Sequence, residues 1–128
     1  MNVFRIVVVL VGLVPLFLGG TGVLFGAAEH AGGEAVAAAL DSQYRYLAAV
    51  YIAVGAMIIY SVLGPPAVVR EKRYLLRFAM LGWFLGGLAR GVSWLSVGEP
   101  ASWQISGMVI ELVVPVVLLV WQARVVKR

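Results

Sequence analysis

The chain has 128 residues, of which 62% are hydrophobic and 12% charged, with a formal net charge of +4. Soluble domains are about 45–50% apolar and about 25% charged, so this chain cannot cover itself with polar groups and lipid is its expected solvent. The absence of cysteine and the single histidine, His30, exclude disulfides, thiolate metal sites, iron–sulfur clusters and bis-histidine haem, so no metal and no cofactor is expected.

A membrane-spanning helix needs about 20 largely apolar residues, and four stretches supply them. The first runs from Phe4 to Gly26, with Arg5 at its start, Pro15 inside it and Thr21 near its far end. Its apolar run exceeds the roughly 7–15 residues of a signal-peptide core, so a retained span is expected. Gly32-Gly33 breaks the chain, and the alanine-rich Glu34 to Leu40 is read as a short helix lying on the membrane surface. The second span is placed at Tyr44 to Gly64, capped by Asp41 or Ser42 and stopped by Pro65-Pro66. The third covers Tyr74 to Val97 and ends at Gly98 and Pro100; Ser102 is expected to cap the fourth, Trp103 to Gln122. The expected architecture is all-α: one integral membrane four-helix bundle, up-down-up-down, over residues 1–128.

Basic residues set the orientation. Arg5, the group Arg70, Lys72, Arg73 and Arg77, and the terminal Arg124, Lys127 and Arg128 all fall on one side of four spans. Glu29, Glu34, Asp41 and Glu99 fall on the other, whose loops carry no lysine or arginine. The positive-inside rule then places both termini in the cytoplasm. The same placement argues against nucleic acid as a partner, since the positive charge marks helix ends rather than a soluble face. Arginine outnumbers lysine eight to two amid abundant Ala, Val and Gly, a composition that suggests a GC-rich bacterium and hence a bacterial inner membrane.

Ionisable groups deep in a span are costly and point to function. Arg90 lies seven residues before Val97 and Glu111 eight after Trp103, depths of about 10 and 12 Å at 1.5 Å per residue. On antiparallel neighbouring helices they stand level and are expected to pair. Ser93 shares the face of Arg90, and Trp94 lies one turn from it, placed to stack on a guanidinium or a ligand. Pro115, four residues after Glu111, frees the Glu111 carbonyl. Gln43 and Arg45 stand at the mouth of the second span, with Asp41 one turn above Arg45. These residues and Thr21 concentrate polarity in the outer half, whereas the inner half reads as almost wholly apolar. A ligand pocket lined by Arg45, Arg90, Ser93, Trp94 and Glu111, with Asp41, Gln43, Thr21 and Pro115 supporting it, is one reading. The plainer one makes Arg90–Glu111 a staple between helices and Arg45 an anchor snorkelling to lipid phosphates. Gly22-xxx-Gly26, Gly82-xxx-Gly86 and Gly87-xxx-Gly91 are small-xxx-small patterns that favour close helix packing and leave homo-oligomerisation open.

The segments from Asp41 to Ala48 (DSQYRYLA), Phe84 to Trp94 (FLGGLARGVSW) with Gly98-Glu99-Pro100, and Glu111 to Pro115 (ELVVP) together resemble the bacterial family known as domain of unknown function 4345. The resemblance spans nearly the whole chain. It implies a small four-helix membrane protein, marks Asp41, Gln43, Arg45, Arg90, Ser93 and Glu111 as family-typical positions, and assigns no reaction.

Three functions compete. The first is a non-enzymatic membrane protein that binds a small or amphipathic, lipid-like or acidic ligand, or a partner helix. The second is an intramembrane enzyme acting on a lipid-like substrate, with Glu111 moving a proton and Arg90 stabilising negative charge. The third, a small proton-coupled exporter, ranks last: its essential acid belongs in the first helix, which here has none, and a carboxylate beside arginine holds its charge.

Overall fold

The computed structural model describes residues 1–126. Its helices are α1 (Asn2–Phe25), α2 (Ala38–Tyr60), α3 (Pro66–Glu71), α4 (Arg73–Val97) and α5 (Ser102–Val125), with a 3-10 turn at Ala27–His30. No strand occurs among the described residues. α1, α2, α4 and α5 are each long and apolar enough to cross a membrane. The chain is thus a multi-pass membrane protein with the helix complement of a four-helix membrane bundle. Large apolar side chains on these helices, such as Leu10, Phe17, Phe78, Leu85 and Val117, remain exposed. Water would penalise that surface and lipid does not. Of the basic residues used to orient the chain, Lys127 and Arg128 lie outside the described residues.

The ends of the helices differ from expectation in instructive ways. Residues 34–37 are not helical, so the surface helix is absent; Ala38 to Leu40 instead form the first turn of α2. Gly32 and Gly33 take φ of 60° and 88°, and Ala37 is extended at ψ 138°, so the chain reverses before helix can resume. Alanine's high helix propensity then starts α2 six residues ahead of Tyr44. The cap of α2 is accordingly Ala37, and Asp41 and Ser42 are already inside the helix. Ala101 rather than Ser102 caps α5; the Gln104 side chain reaches back to accept the Ala101 N–H at 3.2 Å.

α2 stops at Tyr60, short of the prolines. The Ser61 hydroxyl donates to the Ile58 carbonyl at 2.6 Å, and Val62 and Leu63 make short-range bonds to Ile59 and Tyr60 that tighten the last turn. Pro66 then opens α3, a helix the sequence reading did not anticipate. Its fixed φ suits a first helical position, where no N–H is needed.

Contacts divide the chain into two compact units, Arg5–Leu63 and Met1–Phe4 with Gly64–Arg128. In the first, α1 and α2 form an antiparallel hairpin: Gly12 faces Gly55 and Ile59, Gly19 faces Ala48 and Ile52, and Gly22 faces Ala48 and Tyr44. The approach is backbone to backbone. A Cβ on Gly19 would stand 2.6 Å from the Ala48 carbonyl oxygen, and one on Gly55 would stand 2.7 Å from that of Gly12.

In the second unit, α4 and α5 are also antiparallel, but they pack through large side chains. Leu76, Met80, Trp83 and Leu118 are buried, and Phe4 sets its ring edge-on to Trp121 at 5.4 Å. Of the α4 glycines, only Gly87 packs closely, against Leu112 and the Glu111 Cβ; Gly82, Gly86 and Gly91 face open space. The Gly82-xxx-Gly86 pattern therefore mediates no packing within the described chain, because those residues face away from α5.

Candidate functional site

Each unit carries a polar cluster of its own. In the α1–α2 hairpin the cluster closes the end of α1. Gly26 leaves the helix at φ 70° and ψ −166°, a backbone region essentially open to glycine alone. The Asp41 carboxylate accepts the N–H of Ala27 at 2.9 Å through one oxygen and the Arg45 Nε at 2.8 Å through the other. The same guanidinium donates to the carbonyls of Val23 and Leu24. A helix end leaves its last carbonyls unpaired, and a cation there also matches the helix dipole. The Arg45 guanidinium is thus engaged at the end of α1 by one carboxylate and two carbonyls. Thr21 donates to the Leu18 carbonyl at 3.1 Å within its own helix, and Gln43 is exposed.

In the α4–α5 unit the expected pair is present. Arg90 Nε donates to Glu111 Oε2 at 2.9 Å. The side chain of Glu111 is 14% exposed and that of Arg90 37%. The bond uses the inner edge of the guanidinium, so both terminal nitrogens of Arg90 lack a protein partner among the described residues. Gly87, one turn before Arg90, admits Leu112 and the base of Glu111 against α4, which brings the carboxylate within reach. Ser93 is exposed and Trp94 half-buried. Trp94 makes no ring contact with Arg90 among the described residues, so the guanidinium face is not stacked. Pro115 is buried inside α5.

A second polar tie joins the other ends of α4 and α5, and the sequence reading passed over it. Gln122 is 3% exposed. Its Oε1 accepts Arg77 Nε at 3.2 Å, and its Nε2 donates to the Arg73 carbonyl at 3.1 Å. The expectation of an almost wholly apolar inner half fails here. Gln122 marked the end of the expected span and read as a boundary residue; its 45-residue separation from Arg77 hid the bond. The available signal was depth alone, since Arg77 to Gln122 repeats the antiparallel register of Arg90 to Glu111.

The family described as Domain of unknown function (DUF4345) matches residues 3–122. The chain belongs to that family. No curated protein and no solved structure matches it. The DUF4345 match contains both polar clusters and the Gln122 tie. The family description names no reaction. Among the described residues no group of three or more His, Cys, Asp or Glu side chains stands close enough to hold a metal ion.

Proposed function

We propose that this chain is a non-enzymatic protein of the bacterial inner membrane, both termini cytoplasmic, that binds a small or amphipathic ligand through Arg90. The ligand has an acidic or strongly hydrogen-bonding head, and its apolar part lies along the helices. One observation carries the reading: deep in a span, the Arg90 guanidinium is held by Glu111 through Nε alone, and the Arg90 side chain is 37% exposed. A buried staple would use both edges of the fork against the carboxylate, the stronger bidentate geometry. Here the two terminal nitrogens present a planar donor pair to the membrane interior, where an unmatched donor is costly. An acidic head accepts those two bonds, while Glu111 orients the guanidinium. The reading rests on Arg90 and Glu111, with Ser93 and Trp94 beside them, and not on Arg45, whose donors hold the end of α1.

Native mass spectrometry of gently solubilised protein tests it. The expected result is a co-purifying small molecule that the joint variant Arg90→Leu with Glu111→Leu loses while remaining folded. Retention by that variant, or a wild-type chain that carries nothing, overturns the reading. Orientation is checked separately on intact cells, in a chain that offers no native cysteine. Glu99→Cys is expected to label from outside and Arg73→Cys not to.

A further inference from the structure

At the opposite end of α4, the second unit holds an open cleft of about 470 Å³ lined by Arg70, Glu71, Arg73, Tyr74 and Arg77. Three guanidiniums and a phenol stand there against one carboxylate. Arg73 and Arg77 lie one turn apart on α4, a like-charge spacing that disfavours the helix unless an anion intervenes. Neither has a carboxylate at ion-pair distance among the described residues. Arg77 is nonetheless positioned: its Nε is spent on the buried Gln122, which is itself held by the Arg73 carbonyl. Arg77 thus has its Nε engaged while its side chain also lines the cleft, and an arginine already positioned loses little further side-chain entropy when a ligand is bound.

We infer that this cleft binds the phosphate of an anionic phospholipid, with Arg73 and Arg77 clamping the phosphate and Tyr74 adding a hydroxyl donor. Guanidinium forks match phosphate oxygens in geometry as well as charge. A lipid fits better than a free anion because of what adjoins the cleft. Tyr74, Phe78, Leu81 and Leu85 follow one another at helical spacing along α4, and they are 53%, 66%, 51% and 55% exposed. They form an apolar track that starts at the cleft and runs into the span. An acyl chain can lie along it with the head group still in the cleft. Basic pockets at the ends of membrane helices recognise lipid head groups by this charge complementarity.

The test is native mass spectrometry of the full chain in mild detergent with phosphatidylglycerol, phosphatidylcholine or inorganic phosphate. Phosphatidylglycerol is expected to be retained over phosphatidylcholine. Arg77→Gln or Arg73→Gln is expected to cut that preference roughly fivefold, the worth of one basic residue against anionic lipid. Arg124→Gln removes the same charge from an exposed last-turn position of α5 outside the cleft and is expected to leave the preference intact. Equal losses at Arg124 and in the cleft would reduce the effect to surface charge and overturn the proposal. So would equal retention of the two lipids, or competition by millimolar inorganic phosphate, which would make the site one for a free anion. Arg73 has no side-chain hydrogen bond among the described residues, so Arg73→Gln still decides the matter if Arg77→Gln misfolds.

Discussion

The two helix hairpins solve one problem by different means. In lipid the hydrophobic effect gives two apolar helices little reason to associate, so packing and polar contacts must do so. The α1–α2 hairpin uses close approach: Gly12, Gly19, Gly22 and Gly55 let the backbones meet, and the Asp41–Arg45 closure ties the chain at the end of α1. The α4–α5 pair keeps bulky residues such as Met80, Trp83 and Leu118 in its core and adds polar ties at two levels, Arg90–Glu111 and Arg77–Gln122. Packing by side-chain polar ties leaves donors over, and both ligand-binding proposals concern those surplus donors.

The largest expected effect breaks the tie in α4–α5. Arg90→Leu strands the mostly buried Glu111 and is expected to cost about 3–5 kcal/mol, read as a lowered unfolding midpoint in mild detergent. Glu111→Leu is expected to cost less, because the arginine left behind is 37% exposed against 14% for the glutamate. Replacing both should recover most of the loss. A double variant no more stable than Arg90→Leu alone would show that the pair does not hold the helices together.

Next comes the glycine face. Gly19→Leu must push aside the Ala48 backbone, and overpacking of that kind costs about 1–3 kcal/mol or more. Gly82→Leu meets open space and should stay within about 0.5 kcal/mol of wild type. Thermal melts of the two variants side by side make the check; equal destabilisation would mean that Gly82 also faces a partner helix.

The closure at the end of α1 should be weaker still. Gly26→Ala places a methyl group against the Asp41 carboxylate and the Arg45 guanidinium at φ 70° and ψ −166°, a backbone strain of about 1–3 kcal/mol. Its expected signature is local: faster hydrogen exchange at the Ala27 amide, with the α4–α5 amides unchanged. The smallest effect is expected from Gln122→Leu, which removes the bonds to Arg77 and to the Arg73 carbonyl. Membrane polar contacts of this kind average about 0.6 kcal/mol, so a small shift in melting temperature is the expected reading.

Much of this protein was legible from its sequence. Four apolar runs of sufficient length name four spanning helices, because each backbone in lipid must satisfy its own hydrogen bonds. Arg90 and Glu111 were paired by counting residues from a short loop, since two antiparallel helices joined there share a register. Those inferences use local rules: rise per residue, apolar length and the position of charge.

What the tertiary structure alone decided depends on helix rotation and on contacts distant in sequence. Gly12, Gly19 and Gly55 pack while Gly82 and Gly86 do not, though all are glycines in apolar helices, because only the direction each face takes separates them. Arg45 turns onto the carbonyls of α1, because the end of that helix offers unpaired acceptors beside it. Gln122, Arg73 and Arg77 meet across 45 or more residues of chain, and that meeting aligns one wall of the basic cleft. A charged side chain's environment is set by which unpaired groups the fold brings within about 3 Å of it, and spacing along the chain does not specify that.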